Sequence, residues 1–460
     1  MEFFVEYLPI LMFGALAILL FTGYPVAFIL GGVALGFAVL GDVFGSFRLT
    51  QLTLIPLRIF GGTVENLVLV AIPMFTFMGT MLEKSGAARD LLYALQVLTR
   101  RVPGGLALSV TLMGTIMAAT TGIIGASVVM MTLMALPVMM ERNYNIPLAT
   151  GTIASSGTLG ILIPPSIMLV IMSDLLSVPV GTVFVAAVMP GLLIALFYLI
   201  YIFILCRLKP ELAPPMPEDI GPGTRGEFWA MIARSFLPPI FLIALVLGSI
   251  FAGFATPTEA AGVGAAGSVL LAWFNKQLTW AVFVDVCKRS ALTGAMLFGI
   301  FVGATAFAFV FRTLGGEHLI VEFIQNNGVG PWSILFVLMA MVFLLGFFFD
   351  WIEITLIVLP IFAPIVGLLD FGGHVGQWDG VSQPIIIWFL ILVAVNLQTS
   401  FLTPPFGFAL FYMKGVAPPE VKIQQIYKGI IPFVMLQLAG LGMCLAFPAV
   451  VLWFPSFVLG

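Results

Sequence analysis

Residues Gly157 to Ser166 read GTLGILIPPS, inside a stretch otherwise apolar enough to cross a membrane. Two glycines and an adjacent proline pair cannot sustain one continuous helix. Pro164 and Pro165 each lack a backbone donor and clash with the preceding turn, and the residue before a proline is pushed out of the α region. In lipid, freed backbone groups are tolerated only where protein or a wet cavity satisfies them. A helix broken at membrane depth therefore marks a candidate binding site. The same punctuation returns at Thr399 to Gly407, TSFLTPPFG, where Pro404 and Pro405 form the second pair.

Outward from these two breaks, the composition sets the class. Of 460 residues 61% are hydrophobic and 8% charged, against roughly 25% charged in an ordinary soluble domain. Mean hydropathy is +1.18. Continuous apolar runs, rather than alternating ones, argue against a β-barrel. The expected fold is an all-α polytopic membrane protein. No basic cluster interleaved with aromatics supports nucleic-acid binding. Cys206, Cys287 and Cys444 lack CxxC spacing and read as apolar filler. His318 and His374 lie in polar loops and cannot build a metal site alone. The first apolar run follows Glu2 and Glu6 with no basic region, so it reads as a retained helix rather than a signal peptide.

A spanning helix needs roughly 20 apolar residues. Spans are expected at about 7–22, 25–40, 66–82, 147–173, 183–206, 236–252, 257–274, 291–311, 384–413 and 430–454. Residues 41–62, carrying Arg48 and Arg58, read as an amphipathic interfacial piece. Residues 83–101 read as an interfacial helix with Leu91, Leu92, Leu95 and Leu98 opposite Lys84, Arg89 and Arg100. Gly104–Met140 is too polar at its centre, AATTGIIGAS, for two full spans, and fits a re-entrant hairpin with its tip near Thr120–Ser127. Pro331–Leu369 repeats the pattern around the tip GFFFDWIE.

Charge tests this layout independently, through the excess of Lys and Arg on the cytoplasmic side. Ten crossings with both termini outside place Lys84, Arg89, Arg100, Arg101, Arg142, Arg207, Lys209, Arg225, Arg234, Lys276, Lys288, Arg289, Lys414, Lys422 and Lys428 inside. Of the 18 basic residues only Arg48, Arg58 and Arg312 remain outside. The two hairpins then open to opposite sides, and each precedes a broken segment. The chain reads as 1–103, N-terminal scaffold; 104–173, transport unit one; 174–329, scaffold with a hydrophilic linker at 209–234; 330–413, transport unit two; and 414–460, a C-terminal interfacial and spanning part. Units one and two form an inverted repeat, the architecture of secondary transporters.

At these residues the chain resembles the large membrane subunit of tripartite ATP-independent periplasmic (TRAP) transporters, the DctM-type permease of the ion transporter superfamily. The stretches that carry the resemblance are VENLVLVAIPMFTFMGTMLEKSG (64–86), ATTGIIGAS (119–127), ATGTIASSGTLGILIPPSI (149–167) and NLQTSFLTPPFGFALFYMKG (396–415). It covers nearly the whole chain. One departure is FFFD at 347–350, bulkier than the family pattern at a hairpin tip. The resemblance implies a bacterial inner-membrane importer of an organic acid, a carboxylate or dicarboxylate, coupled to Na+ and working by an elevator motion. It also implies a small membrane subunit (DctQ-type) and a periplasmic substrate-binding protein (DctP-type or related).

The residues around the breaks suit that chemistry. Sodium is held by several oxygen atoms, and unwound carbonyls with hydroxyls supply them without burying a full charge; half-helix N-termini, with roughly +0.5 elementary charge, suit a carboxylate. The expected first sodium site draws on Thr120, Thr121, Gly122, Gly125 and Ser127 at the tip and Ser155, Ser156, Gly157 and Thr158 at the break. The second draws on Gly346, Asp350, Gln398, Thr399, Ser400 and Thr403. The substrate is expected between the tips. Ser, Thr and Gly are also ordinary helix-packing residues in membranes. Asp350 and Glu353 are acidic near membrane depth, where ionisable groups are costly and commonly functional. Arg312 is a candidate for contact with a substrate carboxylate. Asp174 reads as solvated at the outer end of its span, and Glu65 and Asn66 as packing residues. A stand-alone dicarboxylate or anion symporter of related fold and a passive channel remain as rivals. An enzyme is disfavoured, since HExxH and Ser/His pairings are missing, and ATP-driven transport within the chain is disfavoured by the missing Walker A motif.

Overall fold

A computed structural model describes residues 6–121, 124–216, 221–319, 322, 330–404 and 407–460. Among them the regular structure is entirely helical. In chain order the helices are α1 (Leu8–Leu20), α2 (Val26–Val43), the short α3 (Leu54–Ile59), α4 (Ala71–Lys84), α5 (Ala87–Thr99), α6 (Gly105–Thr121), α7 (Ile124–Glu141), α8 (Ile146–Thr158), α9 (Ile167–Leu175), α10 (Val180–Leu208), α11 (Arg225–Phe251), α12 (Pro257–Phe274), α13 (Trp280–Thr313), α14 (Pro331–Leu345), α15 (Trp351–Gly367), α16 (Pro384–Ser400), α17 (Phe408–Val416), α18 (Ile423–Ala446) and α19 (Ala449–Leu459). Seven segments among the described residues are long and apolar enough to cross a membrane, which makes this a multi-pass membrane protein.

The two helices that end in breaks are the most deeply buried. Every residue of α8 from Leu148 to Thr158 is buried, as is every residue of α16 from Ile387 to Ser400. This is the arrangement that backbone chemistry requires, because a helix facing lipid has nothing to receive its freed N–H and C=O groups. Around α8 pack α6, α7 and α18; α14, α15 and α18 surround α16. The crossing of α8 and α18 is close because Gly151 and Gly429 bring the two backbones together. Further out lie the pairs α4–α12 and α2–α13, and α17 packs on α7.

Several boundaries differ from the sequence expectation. The residues left between the spans expected at 257–274 and 291–311 are helical from Trp280, where a single 34-residue α13 starts behind its cap Thr279. The linker at 209–234 gives way at Arg225 to α11, which runs through Pro238 and Pro239; Thr224 caps it by accepting from the Glu227 N–H. The final span is α18 plus α19, divided at Phe447–Pro448, where proline ends the first ladder. On α5, Leu91, Leu92 and Leu95 are buried as expected but Leu98 is 55% exposed. The second arm of the second hairpin passes Pro360 and Pro364 and reaches Gly367.

Candidate functional site

The first break opens where α8 ends at Thr158. A single tight turn spans Leu159–Ile161, and α9 restarts after Ser166, whose hydroxyl accepts from the Leu169 N–H. Pro165 removes the donor that would reach the Ile161 carbonyl, and the Ser166 hydroxyl donates to that carbonyl instead. At the second break α16 ends at Ser400 and α17 starts at Phe408; the Ala409 N–H reaches back to the Phe401 carbonyl at 3.3 Å. Pro404 lies in this break, and Pro405 falls outside the described residues. Each break thus follows a helix C-terminus, whose last carbonyls carry partial negative charge.

Hairpin and break meet in the first set. Gly114 on α6 leaves room for Ser156, whose Cβ lies 2.7 Å from where a glycine Cβ would stand, and the Ser156 hydroxyl faces Thr111 Oγ1 at 3.4 Å. Gly157 is packed against Val128 of α7. The Ser155 and Thr158 hydroxyls donate to the carbonyls of Thr152 and Ser155, at 3.1 and 2.8 Å. A hydroxyl that donates to its own helix keeps its oxygen lone pairs available to a cation. Ser127 is buried on α7. Gly125 is filled from outside by the Tyr412 ring, which couples α7 to α17. Thr120 and Thr121 close α6, and Gly122 lies outside the described residues.

In the second set Gly346 makes the equivalent gap: the Ser400 side chain occupies the space a Cβ would need. Thr399 donates to the Asn396 carbonyl at 2.6 Å and Thr403 to the Thr399 carbonyl at 2.6 Å. Gln398 is fully buried, and among the described residues neither polar atom of its amide has a partner; Ser400 Oγ, Thr355 Oγ1 and Asn396 Oδ1 are likewise buried and unpartnered among them. Buried polar atoms are normally paired, so the unpartnered atoms of Asn396, Gln398 and Ser400 within five residues of one helix end stand out, although Thr152, Tyr198, Ser290 and Gln437 elsewhere also carry such atoms. Asp350 and Glu353 act as the N-terminal cap of α15. Asp350 Oδ1 accepts from the Trp351 N–H at 2.8 Å, and Glu353 Oε2 accepts from the Asp350 N–H at 2.6 Å.

Three further residues take defined places. Arg312 donates through Nη2 to the Pro360 carbonyl at 2.7 Å and pairs through Nε with Glu317 at 2.8 Å. Asp174, expected to be solvated, is half-buried and accepts from Asn66 Nδ2 at 2.7 Å, which ties Asn66 to the end of α9, while Glu65, expected to pack, is exposed. Residues that sequence reading passed over are Asn396, Thr355 and Thr111. Asn396 was legible one turn before Ser400, inside NLQTS; Thr111 lies well before the tip, between Ser109 and Thr115, and Thr355 beyond it, so neither was drawn to the breaks by position.

A family model described as the DctM component of the tripartite ATP-independent periplasmic transporter matches residues 13–450. The C4-dicarboxylate TRAP transporter large permease protein DctM of Pseudomonas aeruginosa is 31% identical over 398 residues, which cover 86% of this chain and 88% of that one. The sialic acid TRAP transporter large permease protein SiaM of Vibrio cholerae is 24% identical across 96% of this chain and 97% of its own. The isethionate TRAP transporter permease protein DctMQ of Oleidesulfovibrio alaskensis is 28% identical across 98% of this chain and 67% of its own length. Among solved structures, the Alcanivorax borkumensis YdaH transporter shares the fold, with a TM-score of 0.61 at 16% identity over 88% of this chain and 89% of that one. The relatives are transporter permeases, not enzymes. With the match running from residue 13 to 450, the chain belongs to the DctM family of tripartite ATP-independent periplasmic transporters.

Proposed function

We propose that this chain is the sodium-coupled carrier subunit that imports an organic acid across the bacterial inner membrane, with one Na+ taken up at each break and the substrate between the two tips. The observation that carries the reading is the run of buried oxygen atoms on the last turns of α16 that have no partner among the described residues, Asn396 Oδ1 and Ser400 Oγ on the side facing α14 and Gln398 Oε1 on another side, with Thr355 Oγ1 likewise unpartnered on the neighbouring α15. Desolvating a polar atom without a partner costs about 1–3 kcal/mol. A site-bound cation with the helix-terminal carbonyls would offset that cost, and a cation that binds and leaves is what ion coupling needs. The order of hairpin, buried helix, break and short helix occurs twice, which supports an inverted repeat moving against the α2–α13 and α4–α12 scaffold in an elevator motion. The relatives' names support a carboxylate- or sulfonate-bearing substrate, since C4-dicarboxylates, isethionate and sialic acid are organic anions and ectoine, named for two others, carries a carboxylate. The longer relative named DctMQ supports a small membrane subunit as partner, and a periplasmic binding protein completes the assembly.

Uptake into proteoliposomes containing the permease, its small subunit and the binding protein tests this reading. Accumulation of one or more members of an organic-acid panel under an imposed sodium gradient is the expected result. Equal accumulation with choline replacing sodium would remove the coupling. Uptake that ignores omission of the binding protein would favour a stand-alone symporter, and equilibration without accumulation a channel.

A further inference from the structure

Arg58 and Arg312 line one cavity of about 450 Å³, and neither lies at a hairpin tip. Its walls come from two parts of the molecule. Arg58 ends α3 and Arg312 is on α13; Asp174 ends α9, and Leu356 and Pro360 are on α15. The volume is within the range of roughly 300–1,000 Å³ common for small-molecule sites. At 1.5 Å rise per residue, Leu356 stands only about one turn along α15 from Glu353. The cavity therefore begins next to the second tip and runs away from it.

Its charged groups differ in how they are engaged. Arg312 is held by the Pro360 carbonyl and Glu317, and Asp174 is held by Asn66. The Arg58 guanidinium lies over the Phe309 ring at 4.9 Å, and no carboxylate among the described residues pairs with it. A ring contact takes one face of a guanidinium and leaves its edge N–H donors available, and that planar edge matches a carboxylate or sulfonate with two parallel hydrogen bonds. Around it Phe309, Ala308, Ala304 and Leu356 give apolar walls, while Arg58 itself is exposed, so an anion can reach its donors directly.

We propose that this cavity is an organic-anion site separate from the inter-tip site, in which Arg58 grips the anionic group of the solute before it reaches the second tip. Arg312 holds the opposite wall. The proposal deepens the carrier reading and rests on it for the ligand's role as transported solute, but not for sodium coupling.

Phenylglyoxal labelling of the purified full-length chain, in choline buffer without sodium and with peptide mapping by mass spectrometry, tests it. The probes are succinate and isethionate, with neutral succinamide as control. At tenfold over the dissociation constant an anion leaves the site free about a tenth of the time, so labelling of Arg58 is expected to slow about tenfold. Arg48, outside the cavity on the same stretch, should label at an unchanged rate, and succinamide should protect neither. Arg58→Gln should abolish detectable binding of the protecting anion by calorimetry, Arg58→Lys should weaken it, and Arg48→Gln should leave it intact. Labelling of Arg58 that no anion slows, or slowing equal at Arg48, would overturn the site. Protection that persists in a protein showing no sodium-driven uptake would sink the coupling and leave this site standing.

Discussion

Arg312 Nη2 donates to the Pro360 carbonyl at 2.7 Å, and the reason that carbonyl is free lies four residues on. Pro364 has no N–H to close the helical ladder onto residue 360. A basic side chain from α13 therefore completes the ladder of α15, and locks the outer scaffold helix to the arm that carries the second tip. A residue that sequence reading offered only as a substrate contact has a structural role.

That role sets a double-mutant cycle. Arg312→Gln removes a hydrogen bond from a charged donor, worth about 1.5–3 kcal/mol. Pro364→Ala returns an N–H to the ladder, so the Arg312→Gln penalty should shrink in its presence, with a coupling of about 0.5–3 kcal/mol. Thermal unfolding in one detergent gives the four stabilities. Simple additivity would show that Arg312 does not cap the freed carbonyl.

Gln398 separates packing from ion binding. If the amide were only core filler, Gln398→Met would be neutral or stabilising, since it removes two unpartnered buried atoms. As an ion ligand, the same substitution should leave unfolding temperature unchanged or higher while raising the sodium concentration for half-maximal uptake about tenfold, the equivalent of about 1.4 kcal/mol. Unchanged sodium activation would take Gln398 out of the site.

Gly346 is expected to tolerate no side chain. Gly346→Ala puts a methyl group where the Ser400 side chain sits, and overpacking of this kind costs about 1–3 kcal/mol. Ser400→Gly in the same chain should recover most of the stability but not the sodium dependence. Recovery of both would show that Ser400 fills space and does nothing for the ion.

Asn66 and Asp174 form a tether between the segment before α4 and the end of α9. Asp174→Asn keeps an acceptor for Asn66 Nδ2 but exchanges a charge-assisted hydrogen bond for a neutral one, so it should change stability by about 1 kcal/mol at most. Asp174→Leu strands the Asn66 donor and should cost about 1 kcal/mol or more. Both variants should retain wild-type sodium activation in the uptake assay. A changed sodium response in Asp174→Asn would move this carboxylate into the ion pathway.

What could be read from residues alone followed from strong local chemistry. Two Pro-Pro pairs in apolar runs located both breaks, because a missing N–H is a property of the residue and no packing removes it. Of the stretch AATTGIIGAS, the described residues put Thr121 at the end of α6 and Ile124 at the start of α7, and the two residues between lie outside the described residues. Boundaries that depend on neighbours were less legible. Thr279 and Thr224 start helices earlier than hydropathy indicates, since a cap acts through one hydroxyl and leaves no periodic signal. Leu98 is exposed while Val97 beside it is covered by Gly221 of the following linker, so the side of α5 that is covered at its end depends on a distant segment that amphipathic spacing cannot foresee. Within the site, Gln398 and Ser400 were nameable from their place before Pro404. That their polar atoms lack partners depends on what α14 and α15 bring, and so do Asn396 and Thr355.

Binding of radiolabelled sodium to the purified chain, with choline as the balancing cation and no organic acid present, tests the ion sites most directly. Saturable binding is expected, reduced in Gln398→Met and in Ser156→Ala and unchanged in Arg58→Gln. Absence of saturable binding in a folded, monodisperse preparation, or binding indifferent to both break substitutions, would contradict the assignment of the two breaks as sodium sites.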